Sequence, residues 1–322
     1  MHNLIQKIKD ISRKSFLKTD KRLDAPLLTN SDILELLHRV QTYKKSIASK
    51  HDSAFRQIGE MRSIYRGQGI DYEESRPYQP GDDPRYMNWQ LTARTGQQFM
   101  KVFREERQPG IFIVVDRRNS MRFGTKKRLK ITQAVRIAAI EAFSAQQNNF
   151  SVGGVILDNS LRWIKENDNK QAIFDFIHHA ARPASPVFDK EVQEEAKLSD
   201  VLKILNEILT IGSTVYIISD FHDITEENQA VLLQLSVSHQ VNAIQISDPA
   251  EINLPEAGKL KLKEINSNKY ININSSSQNT NNIYKDKATE YFLLKQNIFK
   301  NISIPYQHVL TTEDAVEKIL IS

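Results

Sequence analysis

Ile111-Phe112-Ile113-Val114-Val115-Asp116 is a six-residue run, apolar up to its last position, and it decides the fold. A run that short, without polar alternation, suits a strand buried on both faces. Val215-Tyr216-Ile217-Ile218 repeats the pattern and ends at Ser219-Asp220. Strand-like segments also occupy 152–157, 161–164 and 241–246, and apolar residues at helical spacing fill 129–143, 173–180, 198–209 and 230–237. Alternation of this kind predicts an α/β fold: a doubly wound, mostly parallel sheet with helices on both faces and right-handed crossovers. Ligands of such sheets sit beyond the carboxyl ends of the strands, where Asp116 and Asp220 fall.

Upstream lies a run of different character, Ser75-Arg76-Pro77-Tyr78-Gln79-Pro80-Gly81-Asp82-Asp83-Pro84-Arg85-Tyr86-Met87-Asn88-Trp89-Gln90-Leu91-Thr92-Ala93-Arg94. Pro80-Gly81 and Asp83-Pro84 set tight turns. Asp82 and Asp83 are placed to cap a helical segment from Tyr86 to Ala93, and Arg76, Arg85 and Arg94 to tie the turns to carboxylates. Trp89 and Trp163 read as core or subdomain anchors rather than ligand platforms. With no nucleophile–base pair, the run reads as scaffold.

Three regions follow: a charged leader, 1–28; an N-terminal helix and β-rich subdomain, 29–110; and an α/β domain, 111–322, with a mobile loop near 262–282. Ser31-Asp32 offers a cap for the first helix, and Thr312-Glu313-Asp314 one for the last.

The 322 residues carry a net charge of +5 and no cysteine. Thiolate metal sites, cysteine catalysis and disulfides are thereby excluded, and a cytoplasmic setting is expected. No apolar run reaches the roughly 18 residues of a membrane span, and the first segment lacks a signal-peptide centre. Arg117, Arg118, Arg122, Lys126, Lys127, Arg128, Lys130 and Arg136 follow Asp116 with no acidic residue among them. They read either as a solvated face or as a docking patch for an acidic partner or phosphate-bearing ligand. Nucleic acid is not expected, since no aromatic interleaving accompanies the charges.

Arg76-Pro77-Tyr78-x-Pro80-Gly81-Asp82-Asp83-x-Arg85-x-x-Asn88-Trp89-x-x-x-Ala93-Arg94 resembles the signature of the domain-of-unknown-function family fifty-eight. Arg104-Glu105-Glu106-Arg107, Val114-Val115-Asp116, the segment from Asn119 to Gly124, Ile218-Ser219-Asp220-Phe221, Asp248-Pro249-Ala250-Glu251 and the segment from Leu254 to Gly258 extend the match. The resemblance implies a von Willebrand factor A-like domain and a partnership with MoxR-type AAA+ ATPases. It also implies an adhesion-type magnesium site, with Asp-x-Ser-x-Ser after the first strand, a threonine and a later aspartate. Asp116, Ser120 and Asp220 match three of its ligands. Arg118 stands in place of the middle serine, and Ala196 falls at the threonine, with Ser199 or Thr210 within a small shift.

Two orientations are open to Arg118. Turned inward, it replaces the ion and pairs with Asp116 or Asp220; turned outward, it joins the basic run. The cost of burying a guanidinium weighs toward the second. Magnesium is possible but disfavoured by Arg118, which if turned inward competes with a dication for the carboxylates.

No other motif carries chemistry. His178-His179 makes a poor chelate, and Gly67-x-Gly69 and Gly153-Gly154 are not phosphate loops. His222-Asp223 lacks an obvious nucleophile other than Ser219 or Ser120.

The expectation is a non-catalytic interaction module, an adaptor or co-chaperone of a MoxR-type ATPase. It would dock at the carboxyl edge of the sheet beside Arg117, Arg122, Lys126, Lys127 and Arg128. The alternatives are a metal-dependent binding module and, further off, a metal-assisted hydrolase.

Overall fold

The computed structural model describes residues 25–43, 71–104, 109–184, 195–263 and 270–320. The chain divides into two compact units: Ala48–Gln108, and a larger one joining Met1–Ile47 to Pro109–Ser322. The expected leader lies almost wholly outside the described residues.

Helix α1, Asn30–Tyr43, buries Ile33, Leu36 and Val40. Those three share a core with the larger unit's sheet, and Arg39 grips Asp314 through two bonds of 2.8 and 2.9 Å. The helix thus belongs to the α/β unit and not to the β-rich subdomain, because its apolar stripe is buried only there. Its cap is Thr29 rather than Ser31-Asp32: the Thr29 hydroxyl accepts from the Asp32 amide, and the Asp32 carboxylate accepts from the Thr29 amide.

In the smaller unit, β1 (Asp71–Pro77) runs antiparallel to β2 (Phe99–Arg104), with a 3-10 turn at Pro84–Tyr86 and helix α2 at Trp89–Thr95 between them. Arg76 clasps Asp82 with bonds of 2.8 and 2.6 Å, and Arg85 clasps Asp83 at 2.6 Å. Arg94 is exposed and meets no carboxylate among the described residues. Asp83 caps only the 3-10 turn, while Asn88 caps α2, so the expected single helix from Tyr86 is two pieces. Trp89 is 65% exposed and is not a core anchor. Met87 and Met100 are buried instead and bridge one another.

The larger unit continues with β3 (Ile111–Asp116), α3 (Lys130–Gln147), β4 (Val152–Leu157), β5 (Leu161–Asn167) and α4 (Lys170–Ala180). Then come α5 (Leu198–Ile208), β6 (Thr214–Ser219), α6 (Gln229–Ser238), β7 (Gln240–Ser247) and the single turn α7 (Pro249–Ile252). A hairpin of β8 (Lys259–Lys263) and β9 (Tyr270–Asn274) leads to α8 (Gln278–Asn301), β10 (Tyr306–Leu310) and α9 (Ala315–Leu320). The main sheet has the order β10-β7-β6-β3-β4-β5, parallel except for β5.

Side chains alternate along β3, so Ile111, Ile113 and Val115 enter one core with α1, α3, α4 and α9. Phe112 and Val114 enter the other, against α5, α6 and α8. Gly154 in β4 permits close approach of α4: a Cβ there would lie 2.7 Å from both the Ile113 carbonyl oxygen and the Phe176 ring. The stretch 274–282 expected as a mobile loop is a turn and the start of α8, because Ser277 caps that helix by accepting from the Thr280 amide. No helix among the described residues is long and apolar enough to cross a membrane.

Candidate functional site: a carboxylate cluster held by two buried cations

β3 and β6 are parallel neighbours in matched register, Val115 opposite Ile218, so their carboxyl ends emerge side by side. Asp116 ends β3, and Ser219-Asp220 ends β6. The Ser219 hydroxyl donates to Asp116 Oδ2 at 2.6 Å. The chain then turns through Phe221, whose φ of +54° is in the left-handed region that a bulky side chain rarely occupies. Phe221 is fully buried against Phe299, ring centroids 4.8 Å apart, and that packing offsets the cost of the turn.

Arg118 points inward. Its Nε donates to Asp116 Oδ1 at 3.1 Å and its Nη2 to Asp116 Oδ2 at 2.8 Å. The far edge of the guanidinium takes Asp223, Nη1 to Oδ2 at 2.6 Å and Nη2 to Oδ1 at 2.9 Å, and Nη1 also donates to the Ala196 carbonyl at 3.2 Å. All five N–H donors are therefore used, which is why burial to 2% exposure is tolerated despite its desolvation cost. Burial opposes the charge, but Asp116 and Asp223 outweigh it and raise the Arg118 pKa. Of the two expected partners, Asp116 is a contact and Asp220 is not.

Asp220 is held by Lys130, the first residue of α3, with Nζ 2.8 Å from Asp220 Oδ2 and 2.7 Å from Glu251 Oε1. Burial alone would raise the Asp220 pKa; the Lys130 charge and the His222 hydrogen bond instead hold it well below the usual carboxylate range. Burial likewise opposes a charged Lys130, yet the two carboxylates raise its pKa. Glu251 is pushed up by burial, against the pull of Lys130. Asp223 is lowered: burial opposes this, but Arg118 prevails, and Asp223 also accepts from the Leu198 amide at the start of α5.

His222 Nδ1 lies 3.1 Å from Asp220 Oδ1 and 3.1 Å from the Ser120 hydroxyl. Burial disfavours its charged form, but the bond to Asp220 raises its pKa. A catalytic relay needs the serine and the carboxylate on opposite ring nitrogens. Here both sit on Nδ1, so these groups do not form one.

Asp116, Asp220 and His222 each place one ligand atom within 4.8 Å of the others, the arrangement expected of a metal site. The lone pairs decide against the fit. Asp116 Oδ1 accepts from the Arg118 amide and Nε, and Oδ2 from Arg118 Nη2 and Ser219, so all four acceptor positions are taken. Asp220 has three of four taken, by Lys130 and twice by His222. A dication would have to displace a fixed cation from each carboxylate.

The expected basic patch does not form one exposed surface. Arg117 is 2% exposed and bonds to Asp158 and to the carbonyls of Ala180, Arg182 and Pro183. Arg122 also pairs with Asp158, and Arg128 bonds to Gln133 and the Glu313 carbonyl. Only Lys126 and Lys127 of the five are exposed. Sequence reasoning missed Lys130 and Glu251 as site residues. The signal for Lys130 was a cation at a helix start, where the dipole disfavours it.

Residues 74–291, more than half of the chain, match the family described as "Protein of unknown function DUF58". Uncharacterized protein Rv1480 of Mycobacterium tuberculosis and Uncharacterized protein Mb1516 of Mycobacterium bovis are each 26% identical over 245 residues, 75% of this chain and 75% of theirs. The solved structure of the conserved hypothetical protein BatB from Bacteroides thetaiotaomicron aligns at 15% identity and a TM-score of 0.41, covering 66% of this chain and 96% of that one. An aerotolerance-related membrane protein from Bacteroides fragilis aligns at 15% identity and a TM-score of 0.40, covering 65% and 94%.

Proposed function

The chain belongs to the DUF58 family, and on that footing we propose that it is a non-catalytic protein-interaction module with a von Willebrand factor A-like core. Its adhesion-type site is held closed by Arg118 and Lys130 in place of a divalent ion. The observation that carries this is the full use of the Asp116 carboxylate by Arg118 and Ser219. An adhesion site works by leaving a position open on its metal for a partner's carboxylate. With cations on both aspartates, the edge serves instead as a rigid, pre-ordered surface that needs no ion to engage a partner. The partner in this proposal, a MoxR-type AAA+ ATPase, comes from the signature resemblance. Docking falls to the carboxyl edge of the sheet, with Lys126 and Lys127 as its exposed cations, in a cytoplasmic setting.

Two measurements test this. Titration calorimetry with magnesium and manganese should give no heat of binding, and association with a purified MoxR-type ATPase should persist in EDTA. Micromolar metal binding, or association abolished by the chelator, would return the site to the metal-dependent reading. A metal-assisted hydrolase is disfavoured because Asp116 and Asp220 are already held by Arg118, Ser219 and Lys130; turnover of generic phosphatase substrates with divalent ions would reverse that.

A further inference from the structure

A second polar feature lies one strand over from the carboxylate cluster. Arg117 follows the end of β3 and Asp158 follows the end of β4; with Arg122, Ser160, Arg182 and Pro183 they line an open cavity of about 360 Å³. Asp158 lies between Arg117 Nε at 3.2 Å and Arg122 Nη2 at 2.7 Å. Arg117 spends four of its five donors: besides Asp158, it holds the carbonyls of Ala180, Arg182 and Pro183, which fixes the far wall. Arg122 and Arg182 are less engaged. Among the described residues, Arg122 spends Nε, on the Arg117 carbonyl at 3.3 Å, and Nη2; Arg182 spends Nε, on the His179 carbonyl at 3.1 Å. Arg122 Nη1 and both terminal nitrogens of Arg182 have no partner among the described residues.

Three guanidiniums against one carboxylate leave this lining with an excess of two positive charges. Guanidinium forks match the oxygens of phosphate in pairs, and the surplus matches a phosphate dianion.

We propose that this cavity is a phosphate-binding site, with Arg122 and Arg182 as its contacts and Arg117 and Asp158 as positioning residues. The site is separate from the Asp116–Asp220 cluster and does not depend on the interaction reading. Inorganic phosphate and acetate, titrated calorimetrically into the full chain at low ionic strength, give the test. Phosphate should bind with a millimolar or tighter constant and acetate more weakly. Arg182→Gln, whose side chain is exposed and whose fold should persist by circular dichroism, should weaken phosphate about tenfold. Arg122→Gln should do the same. Absence of phosphate binding, binding unchanged in Arg182→Gln, or acetate bound as tightly as phosphate would each overturn the assignment.

Discussion

Arg118 and Asp223 stand 105 positions apart and meet in a two-point ion pair, Nη1 to Oδ2 at 2.6 Å and Nη2 to Oδ1 at 2.9 Å. The same guanidinium holds Asp116 on its other edge, so one side chain ties the end of β3 to the loop after β6. Through the Asp223 bond to the Leu198 amide it also reaches the start of α5.

Arg118→Ala leaves two carboxylates without their cation and should destabilise the chain by about 3–5 kcal/mol. Arg118→Leu combined with Asp223→Leu should cost less than the sum of the two single changes. Urea unfolding of the wild type, Arg118→Ala, the two single leucine variants and the double variant measures both. Additive costs would show that the pair does not act as a unit.

Lys130→Met should be similarly damaging near neutral pH, and the damage should fade in acid. Asp220 is depressed in the folded wild type, so its contribution is present above the unfolded carboxylate value of about 3.9 and is lost as pH falls through its lower folded value. Without Lys130 that depression is lost. The gap in melting temperature between wild type and variant should therefore narrow as pH drops below about 5. A constant gap would mean that Lys130 contributes packing alone.

His222 titrates in the opposite sense. Its folded pKa is raised by Asp220, so its contribution is full below the unfolded value of about 6.5 and is lost as pH rises through the folded value. His179, His239 and His308 are lowered and push the other way, so the His222 part must be isolated by difference. The stability advantage of wild type over His222→Asn should shrink between pH 6 and pH 9. Proton NMR should place the His222 midpoint above the ordinary histidine value.

Gly154→Ala tests the sheet beneath the site. The added methyl would meet the Ile113 carbonyl and the Phe176 ring, both at 2.7 Å. Backbone cannot yield, so the change should cost about 1–3 kcal/mol. A neutral result would show that α4 can shift.

The strands were legible because each central one is a short apolar run with no polar alternation, a pattern few other arrangements satisfy. The placement of Asp116 and Asp220 at strand ends followed from the same runs. The errors at Ser31, at Asp82 and in the mobile loop expected near 262–282 share a cause. Thr29, Asp83, Asn88 and Ser277 compete with neighbours of equal capping ability, and only the local backbone angles choose among them.

By itself the sequence determined the parallel α/β core, the family signature and the departure at Arg118, since these are properties of adjacent residues and their spacing. Tertiary structure alone decided which way Arg118 faces, and that Asp223, Lys130 and Glu251 complete the cluster. Whether a buried cation is tolerated depends on how many partners reach it, and those partners come from the end of β3, the loop after β6, the loop before α5 and α7 itself. Local sequence carries the cost of burying a charge; only the fold brings together the oxygens that offset it.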